Sequence, residues 1–274
     1  VKKILFITEF SDHADLIFHY ALEFAKRFDA ELIMGHGFGY PETSTEIEDK
    51  EDKKKRVLRR MEDFARDNTP SDYNSVKISY AARYDYPADA ILEMAEENKV
   101  DIIFMSMKGR SASPNQHFSD TTRRVLNQAY CPVLIFPEVA RFDGLDKLLF
   151  ATDFQYNDII ALNMLDRWAQ HFDSTLDVVH VLGRERELDS DQEKMEALET
   201  AFKDKSYMNF SIIPGSRPRK EILDYIQKNN VELLAMTTHR RSSLWSLLDR
   251  SVTQSVARGI QVPLLVIKDE DDKN

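Results

Sequence analysis

A single cysteine, Cys131, excludes an intramolecular disulfide. Long apolar runs are missing too: no stretch approaches the roughly 18 uninterrupted residues of a membrane span. The chain opens directly on the apolar run Ile4 to Ile7, which leaves no room for the charged and apolar regions of a signal peptide. These absences lead us to expect a cytoplasmic protein. Positive charge is in deficit, with 37 basic against 47 acidic residues and a net charge of −10. That balance opposes phosphate backbones and anionic lipid, so neither nucleic acid nor membrane is an expected partner. Catalytic signatures are also lacking. There is no HExxH, cysteine pair or histidine-rich cluster to hold a metal, no G-x-S-x-G elbow for acyl transfer, and no GxxxxGK loop.

What is present is repetition. Lys3-Ile-Leu-Phe-Ile-Thr-Glu-Phe aligns with Lys147-Leu-Leu-Phe-Ala-Thr-Asp-Phe, and the offset of 144 runs without a gap to His36 and His180. Further on, Val100-Asp-Ile-Ile-Phe-Met-Ser-Met matches Val231-Glu-Leu-Leu-Ala-Met-Thr-Thr at an offset of 131, which still holds at Pro132 and Pro263. The second copy is therefore 13 residues shorter (144 minus 131), with the deletion in the segment that follows His36 in the first copy. The predicted domains are residues 1–140 and 141–274, joined by a linker over Glu138 to Asp146. Apolar residues make up 42% of the chain, enough for a core in each half.

Within each copy, short apolar runs alternate with amphipathic stretches, the pattern of parallel strands joined by crossover helices. Five strands are predicted per copy. In the first they are roughly Ile4 to Thr8, Glu31 to Gly37, Val76 to Ala81, Asp101 to Ser106 and Pro132 to Phe136. In the second they are Lys147 to Thr152, Thr175 to Val181, Tyr207 to Ile213, Glu232 to Thr237 and Pro263 to Ile267. Ser11 or Asp12 can cap a helix whose Leu16, Tyr20, Phe24 and Phe28 share one face and read as core. The stretch Glu46 to Arg66 is densely charged at helical spacing, with pairs such as Glu51 and Lys55, and reads as a solvated face. Asp269 to Asn274 is an acidic tail expected to fray.

In open parallel sheets, ligands bind beyond the carboxyl ends of the strands, where backbone amides and helix amino termini converge. Here those places are Thr8-Glu9 and Thr152-Asp153 after the first strand, Ser106 to Arg110 and Thr237 to Arg241 after the fourth, and the helix starts near Ser119 and Ser251. Glu9 and Asp153 can each cap the following helix or touch a ligand, and the residues leave both readings open. His239 with Arg240, Arg241 and Arg250 could form an anion site or simply be solvated beside Asp249. His36 and His180, equivalent strand-end residues, read as satisfied structural histidines. Cys131 reads as an inert buried thiol.

At these residues the chain resembles the universal stress protein family. That family combines a first strand ending in Asp, a glycine motif G-x-x-G-x9-G-(S/T), and a last strand reading Cys-Pro-Val-Leu. The chain carries Met105-Ser-Met-Lys-Gly-Arg-Ser and Tyr130-Cys-Pro-Val-Leu in the first copy. The second carries Met236-Thr-Thr-His-Arg-Arg-Ser and Gln261-Val-Pro-Leu-Leu. The resemblance implies an α/β fold of two flavodoxin-like, adenine nucleotide alpha hydrolase-like domains. Each would be a five-stranded parallel sheet of order 3-2-1-4-5 with helices on both faces, in a family that often binds ATP and usually dimerises through its last strands.

The motif glycines fall on Ser106, Gly109 and Ser119 in the first copy, with Asp120 at the terminal hydroxyl. In the second they fall on Thr237, Arg240 and Arg250, with Ser251 kept. One glycine of six remains. A phosphate chain needs close backbone approach and φ values that a β-carbon disfavours. Asp120 would add repulsion of roughly 1 kcal/mol in water at about 4 Å, and more when shielded. The expectation is a non-enzymatic stress-response or signalling module with both nucleotide sites degenerate and no cofactor, ATP being disfavoured. The rival is an adenine-nucleotide-binding protein, extending to a slow ATPase, at a site made of Asp153, His239 and Ser251. Expected partners are a protein that the residues do not name, a homo-oligomeric copy, and the other half of the chain. The strands Pro132 to Phe136 and Pro263 to Ile267, apolar and without protective charge, predict an internal pseudo-dimer.

Overall fold

A computed structural model describes residues 1–11, 13–39, 50–107, 119–138, 140, 144–154, 158–182, 188–238 and 260–268. Two compact units divide the chain, Val1–Glu138 and Val139–Asn274. The first contains β1 (Lys3–Ile7), α1 (Ala14–Phe28), β2 (Glu31–Phe38), α2 (Lys50–Asn68), β3 (Ile78–Tyr84), α3 (Pro87–Asn98), β4 (Ile102–Ser106), α4 (Asp120–Gln128) and β5 (Val133–Phe136). The second contains β6 (Lys147–Thr152), α5 (Asp158–Phe172), β7 (Thr175–Leu182), α6 (Leu188–Ala201), β8 (Met208–Pro214), α7 (Pro218–Asn229), β9 (Leu233–Thr238) and β10 (Leu264–Lys268).

All strands within a unit pair in parallel. The first unit runs β3-β2-β1-β4-β5. The second runs β8-β7-β6-β9-β10, so each has the expected 3-2-1-4-5 order. With its first and fourth strands adjacent at the centre, each sheet reverses its winding there, and the carboxyl ends of those strands open the crevice where such folds take ligands.

Burial explains why the runs are apolar. Ile4, Leu5 and Phe6 on β1 and Leu148, Leu149 and Phe150 on β6 have no solvent exposure, as befits strands covered on both faces. On α1, Tyr20 and Phe24 are buried, while Leu16 and Phe28 at the ends of the same face are half-buried. Helices α1 and α5 close in the same way: Asp29 and Asp173 take left-handed φ of 50° and 59°, and the amides of Ala30 and Ser174 reach back to Ala25 and Ala169 at 2.8 Å. Lys99 and Asn230 do likewise after α3 and α7. An acid before the fourth strand accepts backbone amides from the start of the first: Asp101 from Lys2 and Lys3, and Glu232 from Asp146 and Lys147.

Three expectations are adjusted. The third strand begins at Ile78 instead of Val76 and continues to Tyr84, because the Val76 amide is spent on a turn to the Tyr73 carbonyl at 2.9 Å. Residue His13, not Ser11, is the N-cap of α1, and its side chain makes no capping bond; Asp12 lies outside the described residues. Within the charged stretch, Lys55 Nζ lies 3.4 Å from Asp52. The acidic tail also lies outside the described residues.

Candidate functional site

The carboxyl end of the first strand is built alike in both units. Thr8 Oγ1 accepts the Phe10 amide at 3.0 Å, and Thr152 Oγ1 accepts the Phe154 amide at 2.9 Å. These bonds fold the chain back at once, and the phenylalanines pay with left-handed φ of 52° and 56°. The threonine preceding each acid thus satisfies the turn. Glu9 and Asp153 stand half-buried between threonine and phenylalanine at the mouth of the crevice.

Across from each threonine stands the histidine of the second strand. His36 Nδ1 lies 2.6 Å from the Thr8 carbonyl oxygen, and His180 Nδ1 lies 2.9 Å from that of Thr152. A carbonyl oxygen only accepts, so Nδ1 carries the proton in each. The phenylalanine ring lies against the imidazole, with centroids 5.1 Å apart for Phe10 and His36 and 4.4 Å for Phe154 and His180. A cation from the next helix then covers the phenylalanine: the Arg60 guanidinium at 4.0 Å and the Lys194 ammonium at 5.7 Å.

The second mouth adds carboxylates. Asp158 and Asp191 are buried, and His180 is only 2% exposed. Asp158 Oδ2 accepts from the Thr152 hydroxyl at 2.6 Å. Asp191 Oδ2 lies 3.2 Å from His180 Nε2, and its other oxygen lies 3.4 Å from Lys194. Since Nδ1 is already a donor, the Nε2 contact is a hydrogen bond only when a second proton sits between imidazole and carboxylate. Each ring nitrogen thus faces a protein oxygen, the Thr152 carbonyl on one side and the Asp191 carboxylate on the other. In the first unit, Ala14 replaces Asp158 as first residue of the helix, and the residue three before the ring-covering cation is Val57 instead of Asp191.

The fourth-strand side of the first mouth is stitched by its helix. Ser119 is the N-cap of α4, its Oγ accepting the Thr122 amide at 3.0 Å. Thr122 Oγ1 in turn donates to the Met107 carbonyl at 3.1 Å. The hydroxyl that stands where the family has a motif glycine is thus spent on capping. Asp120, the first residue of α4, pairs with Arg123. Ser106 ends β4 half-buried, and Thr237 lies buried in β9. Gly109, His239, Arg240, Ser251, Arg241, Asp249 and Arg250 lie outside the described residues. The structure therefore unites Thr8, Glu9 and His36 at one mouth and Thr152, Asp153 and His180 at the other. Phe10, Arg60, Phe154, Asp158, Asp191 and Lys194 join them without having been expected. Only the phenylalanines had a signal, since they recur at the offset of 144. Cys131 is buried. Among the described residues no group of three or more His, Cys, Asp and Glu side chains could hold a metal, and no helix is long and apolar enough to cross a membrane.

Two parallel-sheet domains of one topology, each opening at the carboxyl ends of its first and fourth strands, define a tandem α/β protein of the flavodoxin-like class. The universal stress protein family model matches residues 1–137 and again 144–268, so the chain belongs to that family, twice over. Universal stress protein MJ0531 of Methanocaldococcus jannaschii is 29% identical over 147 residues, which cover 49% of this chain and 81% of that protein. A universal stress protein structure from Archaeoglobus fulgidus covers 99% of this chain and 97% of its own, at 21% identity and a TM-score of 0.73. PA1789 of Pseudomonas aeruginosa, described as functionally unknown, covers 99% of this chain and 94% of its own at 17% identity and a TM-score of 0.66.

Proposed function

We propose that this tandem universal stress protein is a non-enzymatic stress-response or signalling module of the cytoplasm whose two nucleotide sites have degenerated. The observation carrying this reading is the replacement of five of six motif glycines, by Ser106, Ser119, Thr237, Arg240 and Arg250. Each replacement adds a side chain where a phosphate would need bare backbone. The placement of His180 supports the same reading, because both of its ring nitrogens face protein oxygens, as in a structural histidine.

Calorimetry with ATP and magnesium tests it, alongside mass spectrometry of anything released by heating the purified protein. We expect neither saturable binding in the low micromolar range nor a co-purifying nucleotide. Low-micromolar ATP binding that disappears in Asp153→Asn would favour the rival, a nucleotide-binding protein using Asp153, His239 and Ser251.

The module pairs its own halves in this reading. The last strand of each sheet reads Val133-Leu-Ile-Phe and Leu264-Leu-Val-Ile-Lys, with no charge before the terminal Lys268 to protect an edge. A short linker raises the effective concentration of one half for the other, commonly into the millimolar range. Changing Val133 and Leu265 together to lysine should cause loss of stability or aggregation, whereas apolar replacements should be tolerated. An experimental structure with these strands far apart would end the idea.

A further inference from the structure

A groove of about 580 Å³ lies at the outer edge of the first unit, between α2, β3 and α3, and shares no lining residue with the mouth at Thr8. The volume takes in both faces of β3, since Ala81, Arg83, Met94 and Glu97 line it along with Tyr80, Ala82 and Tyr84, and the part of interest is the one facing α2. Its floor follows from strand periodicity. Tyr80, Ala82 and Tyr84 alternate onto one face of β3, so a methyl group separates two aromatic side chains and leaves a slot between them. That face looks toward α2: Lys50 places its ammonium 4.6 Å from the Tyr84 ring centre, and Glu62 acts together with burial to raise the Tyr80 hydroxyl above its ordinary range. Gly39, at φ 86°, lets the Tyr84 ring rest on bare backbone where any side chain would collide with it.

The facing wall is cationic. Lys50, Lys54 and Leu58 all line the groove, spaced four residues apart along α2 and so on one helix face. Two like charges at that spacing disfavour the helix unless an anion lies between them. Among the described residues Lys54 forms no ion pair, and seven of the eleven residues 50–60 are basic against two acidic, in a chain of net charge −10. On the other face of β3, Arg83 is held by Glu93 and Glu97, which removes both its charge and the Glu97 carboxylate from competition. Glu51, next to Lys50 in the chain, is the other lining carboxylate.

We propose that this groove binds a small organic anion with a flat aromatic body, an aryl phosphate or carboxylate, its ring in the slot over Ala82 and its charge between Lys50 and Lys54. The ligand meets a helix on one side and the outer strand on the other, apart from any nucleotide site of the family. The proposal goes beyond the function proposed above and does not depend on it.

The test is titration of the full-length protein with phenyl phosphate, inorganic phosphate and benzyl alcohol, followed by calorimetry and saturation-transfer NMR. Phenyl phosphate should bind saturably, and both the ring-free and the charge-free probe should bind at least about tenfold more weakly, a difference of about 1.4 kcal/mol. Lys54→Glu, an exposed change that leaves the core intact, should weaken phenyl phosphate about tenfold or more. Ala82→Leu, which fills the slot, should do the same, whereas Asp153→Asn should leave it unchanged. Inorganic phosphate binding as well as phenyl phosphate would overturn the proposal. So would an affinity untouched by Lys54→Glu, or one lost in Asp153→Asn.

Discussion

Ile33 on β2 and Asp177 on β7 occupy the same place in the two sheets, opposite Leu5 and Leu149 respectively. Ile33 belongs to an apolar core, whereas Asp177, 2% exposed, gathers Lys147 Nζ at 3.0 Å, Asn209 Nδ2 at 2.9 Å and the Tyr225 hydroxyl at 2.9 Å. The equivalent lysine of the first unit, Lys3, donates to the Asn98 carbonyl instead. The cores diverge in the same sense. The first is aromatic, with Phe104 5.2 Å from Phe24 and 5.6 Å from Phe136, and Tyr20 4.9 Å from Phe136. At the corresponding positions the second has Trp168, Ala235, Ile267 and Met164. One backbone path thus tolerates two ways of filling it. The second unit buries carboxylates at Asp158, Asp177 and Asp191 where the first has Ala14, Ile33 and Val57.

Both tryptophans, Trp168 and Trp245, belong to the second half, so tryptophan fluorescence in urea reports that half selectively. The largest expected effect is from Asp177→Ala. It strands the Lys147 ammonium and two further donors and should destabilise the second unit by about 3 kcal/mol. An unchanged urea midpoint would mean that the cluster is replaceable by water. Next comes Asp191→Val, which imports the first unit's residue and leaves His180 Nε2 buried without its acceptor, at a cost of about 2 kcal/mol. Loss of amide-exchange protection in β7 and α6 would locate the damage.

Alkali acts on both units, since burial lifts the Tyr73 and Tyr130 hydroxyls of the first to about 12, and the fluorescence readout isolates the second. Burial, then the hydrogen bond to Asp177, pushes the Tyr225 hydroxyl up to about 12 from an ordinary 10.0. The unfolded chain therefore loses that proton first, and the contribution is intact below pH 10 and lost as pH rises to about 12. Tyr225→Phe should flatten the fluorescence-detected stability over that interval. Acid acts on both units. Burial alone would raise Glu23 and Asp166, but hydrogen bonds from Arg27 and Tyr73, and from Tyr207 and Lys205, outweigh it and hold both below their ordinary 4.5 and 3.8. Their contributions are full above those values and disappear as pH falls through the lowered ones.

The smallest effect should be at the helix ends. Lys99 and Asn230 are both exposed at φ 52°, but a lysine is strained there and an asparagine much less so. Lys99→Gly should stabilise its unit by about 1 kcal/mol and Asn230→Gly by only a few tenths. Equal gains would mean that the two caps are not equivalent in backbone strain.

The two gapless repeat blocks contained the first, second and fourth strands of each copy and reached the start of the fifth, because a buried parallel strand needs an apolar run; the third strand lies between the blocks, and the order 3-2-1-4-5 came from the family resemblance. The blocks did not contain the mouth. Arg60, Lys194 and Asp191 lie on helices between the blocks, where no constant offset aligns the copies, so neither their facing nor their pairing could be read. The turn at Phe10 and Phe154 was equally hidden. Its strain arises from a hydrogen bond to the threonine two residues earlier, and propensity alone argues against a phenylalanine at positive φ. Thr8 and Thr152 were correctly placed at the strand ends, but the bonds they make to the turn became visible only in three dimensions.

Tyr73 and Tyr207 hold the approach to the third strand in each unit. Tyr73 donates its hydroxyl to Glu23 on α1 at 2.7 Å, and Tyr207 donates to Asp166 on α5. Between the end of the second strand and this tyrosine the first unit spends 35 residues and the second 25 (73 minus 38, and 207 minus 182). Most of the 13-residue deletion therefore falls upstream of a pinned point and never reaches the sheet. For protein engineering, that stretch is a natural insertion port: a reporter peptide spliced in after Gly39 or Leu182 would change the length of a span the fold already allows to vary, while the tyrosine downstream keeps the strand register beyond it.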